Sequence, residues 1–183
     1  YKVAEKMAKH GVGGSTFSDW WDYKWEVYDA IPRNTEVMHD AGVTVAINSD
    51  DAEMARRLNQ EAAKSVMYGN VSEEEAWKFV TINPAKLLHI DSKTGSIKVG
   101  KDADLVLWSD NPLSVYAKAE KTFVDGILYF DRAEDVKMQA AVRSERARLI
   151  QKMLKAKAAG AAGGEKPSAP KGHYHCDSEG DEG

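Results

Sequence analysis

The first 90 residues alternate two hydrophobic patterns. Short runs rich in small or β-branched residues stand between longer stretches whose apolar positions recur every three or four residues. Residues 1–10 fit a short helix stopped by Gly11. Residues 12–17 are small and extended, and Gly13 and Gly14 point to close backbone approach at a strand end. Residues 18–28 are dense in aromatics: Trp20, Trp21, Tyr23, Trp25 and Tyr28. Pro32 is placed to start a helix that carries Val37, Met38 and Ala41 and stops at Gly42. Residues 43–47, Val-Thr-Val-Ala-Ile, read as a buried strand running into Asn48-Ser49-Asp50-Asp51. A long helix is expected over 52–68, with Met54, Leu58, Ala62 and Val66 at helical spacing, broken by Gly69 and Asn70. Ser72 with Glu75 three residues on makes a capping box. Its helix is expected to run to Asn83-Pro84 and resume over 85–88. Such alternation argues for a parallel α/β layer.

After residue 90 the pattern changes. Strands are expected over 103–108 and 121–130, with no helix of length between them, and Asp125-Gly126 splits the second into a hairpin. This is a small β unit appended to the α/β part. Residues 133–158 read as an amphipathic helix with Met138, Val142, Leu149, Ile150, Met153 and Leu154 inward and Arg143, Arg146, Lys152 and Lys155 outward. A helix packed on its own protein is the favoured reading, and a membrane surface or acidic partner the alternative. Residues 159–183 turn to Ala, Gly, Pro, Ser and acid and read as a disordered tail.

Composition narrows the classes. With 43% hydrophobic and 30% charged residues among 183, the chain can bury a core. A net charge of −4 offers no overall field for nucleic acid. No apolar run approaches the roughly 18 residues of a membrane span. The single cysteine, Cys176, excludes an intramolecular disulfide and a cysteine-rich zinc module. His173-Tyr174-His175-Cys176 could chelate zinc or copper, but it follows a Gly/Ala/Pro linker and reads first as a solvated tail. The chain opens on Tyr1 in what reads as mid-helix, so a C-terminal piece of a longer protein is expected, with localisation unreadable.

Several motifs then converge. The strand ending in Asn48-Ser49-Asp50-Asp51, the segment Thr81-Ile82-Asn83-Pro84-Ala85, and the run from Gly95-Ser96-Ile97 to Gly100-Lys101-Asp102-Ala103-Asp104-Leu105-Val106 resemble the C-terminal third of a metal-dependent amidohydrolase, of the imidazolonepropionase-like branch. The resemblance covers residues 1–132. It implies the C-terminal portion of a (β/α)8 TIM barrel with a small appended β-sandwich. The divisions are then 1–90 for the last barrel strands and helices, 91–132 for the composite β subdomain, 133–158 for the helix and 159–183 for the tail. In such barrels the active site lies at the carboxyl ends of the strands.

On this map residues 12–17 are strand 7 and residues 43–47 strand 8. Asp50 matches the aspartate that binds one metal and carries the proton from the attacking water to the leaving amine. The implied cofactor is a divalent metal, Zn2+, as one or two ions. Such an ion lowers the pKa of bound water to about 7, and a nearby carboxylate can accept and return the proton. By spacing alone, Asp50-Asp51-Ala52-Glu53 is also an ordinary helix N-terminus, with Asp51 the cap. His10, His39 and His89 match no ligand position. Trp20, Trp21 and Tyr23 fall beside the barrel mouth, where they line a substrate pocket or plug the rim.

The implied activity is hydrolysis of carbon–nitrogen bonds other than ordinary peptide bonds, on a small molecule with an amide or cyclic C–N bond. A homo-oligomer of the full-length protein is a further expectation. The alternative is a catalytically inactive structural or assembly segment lacking most metal ligands. As a separate piece the chain is expected to be inactive and to aggregate through unpaired strand edges.

Overall fold

The computed structural model describes residues 1–160, so the His173-Tyr174-His175-Cys176 set and the expected disordered tail lie outside the described residues. In order these are α1 (Ala4–His10), β1 (Gly14–Thr16), a 3₁₀ turn at Trp25–Val27, α2 (Asn34–Asp40), β2 (Val45–Ile47), α3 (Ala52–Ala55), α4 (Leu58–Gly69), α5 (Glu73–Lys78) and α6 (Ile82–Leu87). Then come β3 (Leu105–Trp108), β4 (Ala119–Val124), β5 (Ile127–Asp131) and α7 (Arg132–Ala158). The chain divides at Asp135/Val136 into two units.

The run at 43–47 is buried as its composition requires. Val43, Val45, Ala46 and Ile47 are almost inaccessible, and with Ala4, Met38, Val71, Ala76 and Phe79 they form the core. Burying Val45 and Ile47 contributes roughly 1.5–3 kcal/mol each. β2 pairs in parallel with β1, Gly14 opposite Val45 and Thr16 opposite Ile47. A Cβ on Gly13 would collide with Leu87 of α6, so the glycine is what lets that helix approach the strand.

The opposite edge of β2 has no strand beside it among the described residues, yet it is not open. Ile47 N–H donates to the Phe79 carbonyl at 2.9 Å, and Asn83 Nδ2 donates to the Val45 carbonyl at 2.8 Å. This explains why the helix expected from Ser72 onward breaks in two. The Phe79 carbonyl is turned onto β2 and is lost to the helix, so α5 ends and α6 begins afresh at Ile82. Ser72 caps α5 by accepting from the Glu75 N–H, while the Glu75 side chain pairs with Lys78, so the Ser72 half of the expected capping box is the half that forms. The helix expected over 52–68 is likewise two, α3 and α4, with Arg57 at φ −127° between them. No Gly or Pro marks this break. It re-aims the chain so that Glu61, Ala62, Ser65 and Gly69 of α4 face inward.

Strands β3, β4 and β5 form an antiparallel meander. Asp125 and Gly126 both adopt positive φ, 51° and 76°, as a tight hairpin demands. Asp104 secures the turn, accepting from Asp125 N–H at 3.1 Å and Thr94 Oγ1 at 3.2 Å. Trp77 of α5 meets Trp108 edge-on at 6.5 Å, and Asn59 Nδ2 donates to the Pro112 carbonyl at 2.7 Å, docking the sheet on α4 and α5. The expected β-sandwich is here a single sheet. Leu105, Val106, Leu107, Val124, Ile127, Leu128 and Tyr129 remain exposed, and no second layer covers them among the described residues.

α7 matches its expected span, but its inward stripe does not materialise. None of its residues is buried, and Met138, Val142, Leu149, Ile150, Met153 and Leu154 are all exposed. At about 100° per residue the six lie within an arc of roughly 160°, but Arg146 and Arg143 stand inside that arc, so it is not continuously apolar.

Replacing Asn83 with Ala leaves a buried carbonyl of β2 without its partner. We expect Asn83→Ala to cost about 1–3 kcal/mol, read as a lower denaturant midpoint at unchanged slope, whereas Leu88→Ala, at an exposed site, changes it by less than about 0.5 kcal/mol.

Candidate active site at the strand ends

Parallel pairing brings the loops that leave β1 and β2 to the same end of the sheet. Asn48 clamps the two exits. Its N–H continues the ladder to the Thr16 carbonyl at 3.0 Å, and its side-chain amide donates to Ser15 Oγ at 2.5 Å. The chain then passes Ser49, Asp50 and Asp51 and enters α3. Asp51 Oδ1 accepts from the N–H groups of Glu53 and Met54 at 2.8 and 2.9 Å, so the cap belongs to Asp51 rather than Asp50. Asp50 is exposed, three residues past the end of β2.

The loop leaving β1, residues 17–33, holds one short 3₁₀ turn. Trp20 stacks on Phe17 at 4.4 Å, and Tyr23 meets Trp20 edge-on at 5.5 Å. Trp21 is 45% and Tyr23 57% exposed. The three aromatics therefore play different parts: Trp20 is half-buried within the stack, and the other two face outward. The backbone is closed by Trp21 N–H to the Ala30 carbonyl at 3.1 Å.

Beneath this loop lies a polar group that spacing did not reveal. Ser18, 2% exposed, donates to the carboxylate of Glu61, itself 4% exposed. Lys64 Nζ bridges Glu61 Oε1 at 3.0 Å and Asp19 Oδ1 at 2.9 Å. Burial works to lower the Lys64 pKa, but its bonds to Asp19 and Glu61 outweigh it and hold the value above the ordinary 10.5. A Glu/Lys pair three apart inside an apolar-periodic helix was the available signal for two of these residues. Nothing local marks Ser18 or foretells the contacts that Asp19 and Asn48 make.

The residues at this end do not make a metal centre by themselves. Among the described residues no three of His, Cys, Asp or Glu come together as a ligand set. His39 packs edge-on against Phe79 at 5.4 Å, and His10 lies at the end of α1. Asp50 is one carboxylate at the strand end, suited to a single ligand position.

Two measurements probe the loop. Trp20→Ala removes a stacked ring and should cost about 3 kcal/mol, whereas Trp21→Ala, largely exposed, should cost about 1 kcal/mol or less; equal losses in chemical denaturation would contradict the arrangement. A raised Lys64 pKa adds stability that is fully present below pH 10.5 and is lost as pH climbs through the folded value. Tryptophan emission should therefore stay constant from neutrality to pH 10 and shift above it, with Lys64→Met removing that alkaline step.

Comparison with known proteins places this geometry in context. The Amidohydrolase family model matches residues 31–129, more than half of the chain. An amidohydrolase, tasK, of Hapsidospora irregularis is 36% identical over 116 residues, which are 63% of this chain and 12% of that protein. The imidazolonepropionase of Thermoplasma volcanium is 33% identical over 113 residues, 57% of this chain and 28% of that one. An amidohydrolase of Thermotoga maritima superimposes with a TM-score of 0.64 at 31% identity, over 72% of this chain and 35% of that structure. The chain thus spans about a third or less of the lengths of these proteins. Matching family model, similar sequences and shared α/β architecture agree that the chain belongs to the amidohydrolase family.

Proposed function

We propose that this chain is the C-terminal portion of the catalytic barrel of a hydrolase acting on carbon–nitrogen bonds other than ordinary peptide bonds, and that Asp50 is its catalytic residue. The reading rests on family membership and on one placement: Asp50 stands at the carboxyl end of β2, where a barrel of this type builds its site. β1 and β2 take the parts of the last two strands. The exposed apolar residues of β3–β5 suit a sheet that receives a second layer from chain outside the described residues, completing a β-sandwich.

Asp50 is also proposed as this chain's single ligand to a divalent metal, Zn2+ being the expected ion, with the other ligands coming from elsewhere in the protein. The chemistry assigned to Asp50 itself is proton transfer. Its carboxylate takes the proton of the attacking water and returns it to the nitrogen that leaves as the amide bond breaks, so the group ends in its starting state. Asn48 and the Asp51 cap hold the loop on either side of Asp50, which limits the freedom of that carboxylate. Trp21 and Tyr23, with Trp20 behind them, are proposed to meet the substrate.

The test is turnover of a panel of N-acyl amino acids, N-substituted formamides and cyclic amides by the full-length enzyme. Asp50→Asn should lower kcat by roughly 10²–10⁴ with an unchanged melting temperature, while Asp51→Asn keeps turnover within about tenfold. Activity of Asp50→Asn within a few-fold of wild type removes Asp50 from the mechanism. An inert full-length protein with the fold intact favours a structural segment instead.

A further inference from the structure

Residues 17–33 form a long connection with little regular structure, a kind of loop that usually carries function and has to be held in place. Its aromatic stack begins at Phe17, directly after β1. An anchor comes from α4, and it is ionic. Glu61 is buried to 4% exposure, an expensive position for a carboxylate unless it is paired. Replacing a buried ionic group with well-packed apolar residues is often neutral or stabilising, so stability by itself gives little reason to keep one here. What the group supplies is registration. Ser18 Oγ donates to the Glu61 carboxylate from the second position of the loop, and Lys64, three residues on in α4, bonds both Glu61 and the loop's Asp19. Asp19 immediately precedes the tryptophan pair.

We propose that Glu61 is a positioning residue that, through Ser18 and through Lys64 to Asp19, holds the aromatic loop against α4 and so sets how tightly substrate is bound, a role that rests on the proposed placement of Trp20, Trp21 and Tyr23 beside the substrate. The arrangement has a distinctive sign. Two carboxylates, one on the helix and one on the loop, share a single ammonium. With Lys64 present, Glu61 draws the loop in. Without Lys64, Glu61 and Asp19 are like charges facing one another, and Glu61 pushes the loop out. A residue that only filled space would show no such reversal.

Hydrogen exchange of the full-length enzyme at pH 7.5, read on residues 17–28, tests this. Glu61→Gln keeps an oxygen for Ser18 but loses the charge for Lys64, so amides of residues 17–28 should exchange about tenfold faster, with residues 45–47 unchanged. Lys64→Met should loosen the loop further, and adding Glu61→Gln to Lys64→Met should slow its exchange again. Lys64→Arg should restore protection. Loosening by Glu61→Gln in both backgrounds, or in neither, overturns the positioning role. Should Glu61→Gln unfold the chain, Asp19→Asn reads the same bridge from the loop side, where unchanged exchange is equally fatal.

Kinetics on the full-length enzyme decide the substrate half. With the substrate of the panel that is turned over, Glu61→Gln should raise KM about fivefold with kcat within about threefold. A fall in kcat at constant KM refutes that half. If no panel member is turned over, the hydrolase reading and the substrate half fall together, while the exchange data still decide whether Glu61 positions the loop.

Discussion

A buried strand must find hydrogen-bond partners along both of its edges, and β2 meets that requirement with two different devices. Toward β1 it forms an ordinary parallel ladder, prolonged by Asn48 to the Thr16 carbonyl. On the far side the Phe79 carbonyl and the Asn83 amide engage one group each, Ile47 N–H and the Val45 carbonyl. Much of the unit follows from this. The turn between α5 and α6 must sit beside β2, which brings Phe79 and Ala76 into the core and places α4 over the sheet. An unpaired carbonyl next to Val45 costs on the order of 1–3 kcal/mol, a large share of the stability of a small domain.

The same ladder determines where chemistry can occur. Because β1 and β2 are parallel, the loops that follow them emerge at one end, one bearing aromatics and the other a pair of aspartates. The two aspartates are then separated in role by helix geometry. Asp51 lies in line with the first N–H groups of α3 and is engaged by them, and Asp50 is not the cap. The aromatic loop divides in a similar way, with Trp20 held in a stack and Trp21 and Tyr23 turned outward. Functional surface is thus built at the ends of a rigid ladder, on segments that the ladder itself does not constrain.

Several features were legible in the sequence because they are local. The β-branched run at 43–47 announces a buried strand by composition. Ser72 and Glu75 announce a helix start, Asp125-Gly126 a hairpin, and Gly13 a close approach. Each is a matter of a few neighbouring residues and their own torsional or hydrogen-bonding preferences. The family motif spanning Thr81 to Ala85 and Gly95 to Val106 was legible for the same reason, and Asn83 within it proves to be the residue that seals the edge of β2.

What the chain could not disclose by itself are the consequences of contacts between distant residues. Periodicity over 52–68 favours one helix, yet α3 and α4 are separate because α4 has to face Glu61, Ser65 and Gly69 inward. Periodicity over 73–88 favours near-continuity, yet the Phe79 carbonyl is diverted 32 residues back to Ile47. The apolar residues of 133–158 suggested an inward face, yet all of them are exposed among the described residues, and Arg143 and Arg146 interrupt their arc. Glu61 is a charged residue that any local reading assigns to solvent. Lys64 is a local partner, but only the fold brings Ser18 onto the Glu61 carboxylate from 43 residues away and Asp19 onto Lys64. Sequence alone determined which segments could be strand, helix end or turn, since those depend on nearest neighbours. Tertiary structure decided which backbone and side-chain groups would pair across the chain, since that depends on the position of every element at once.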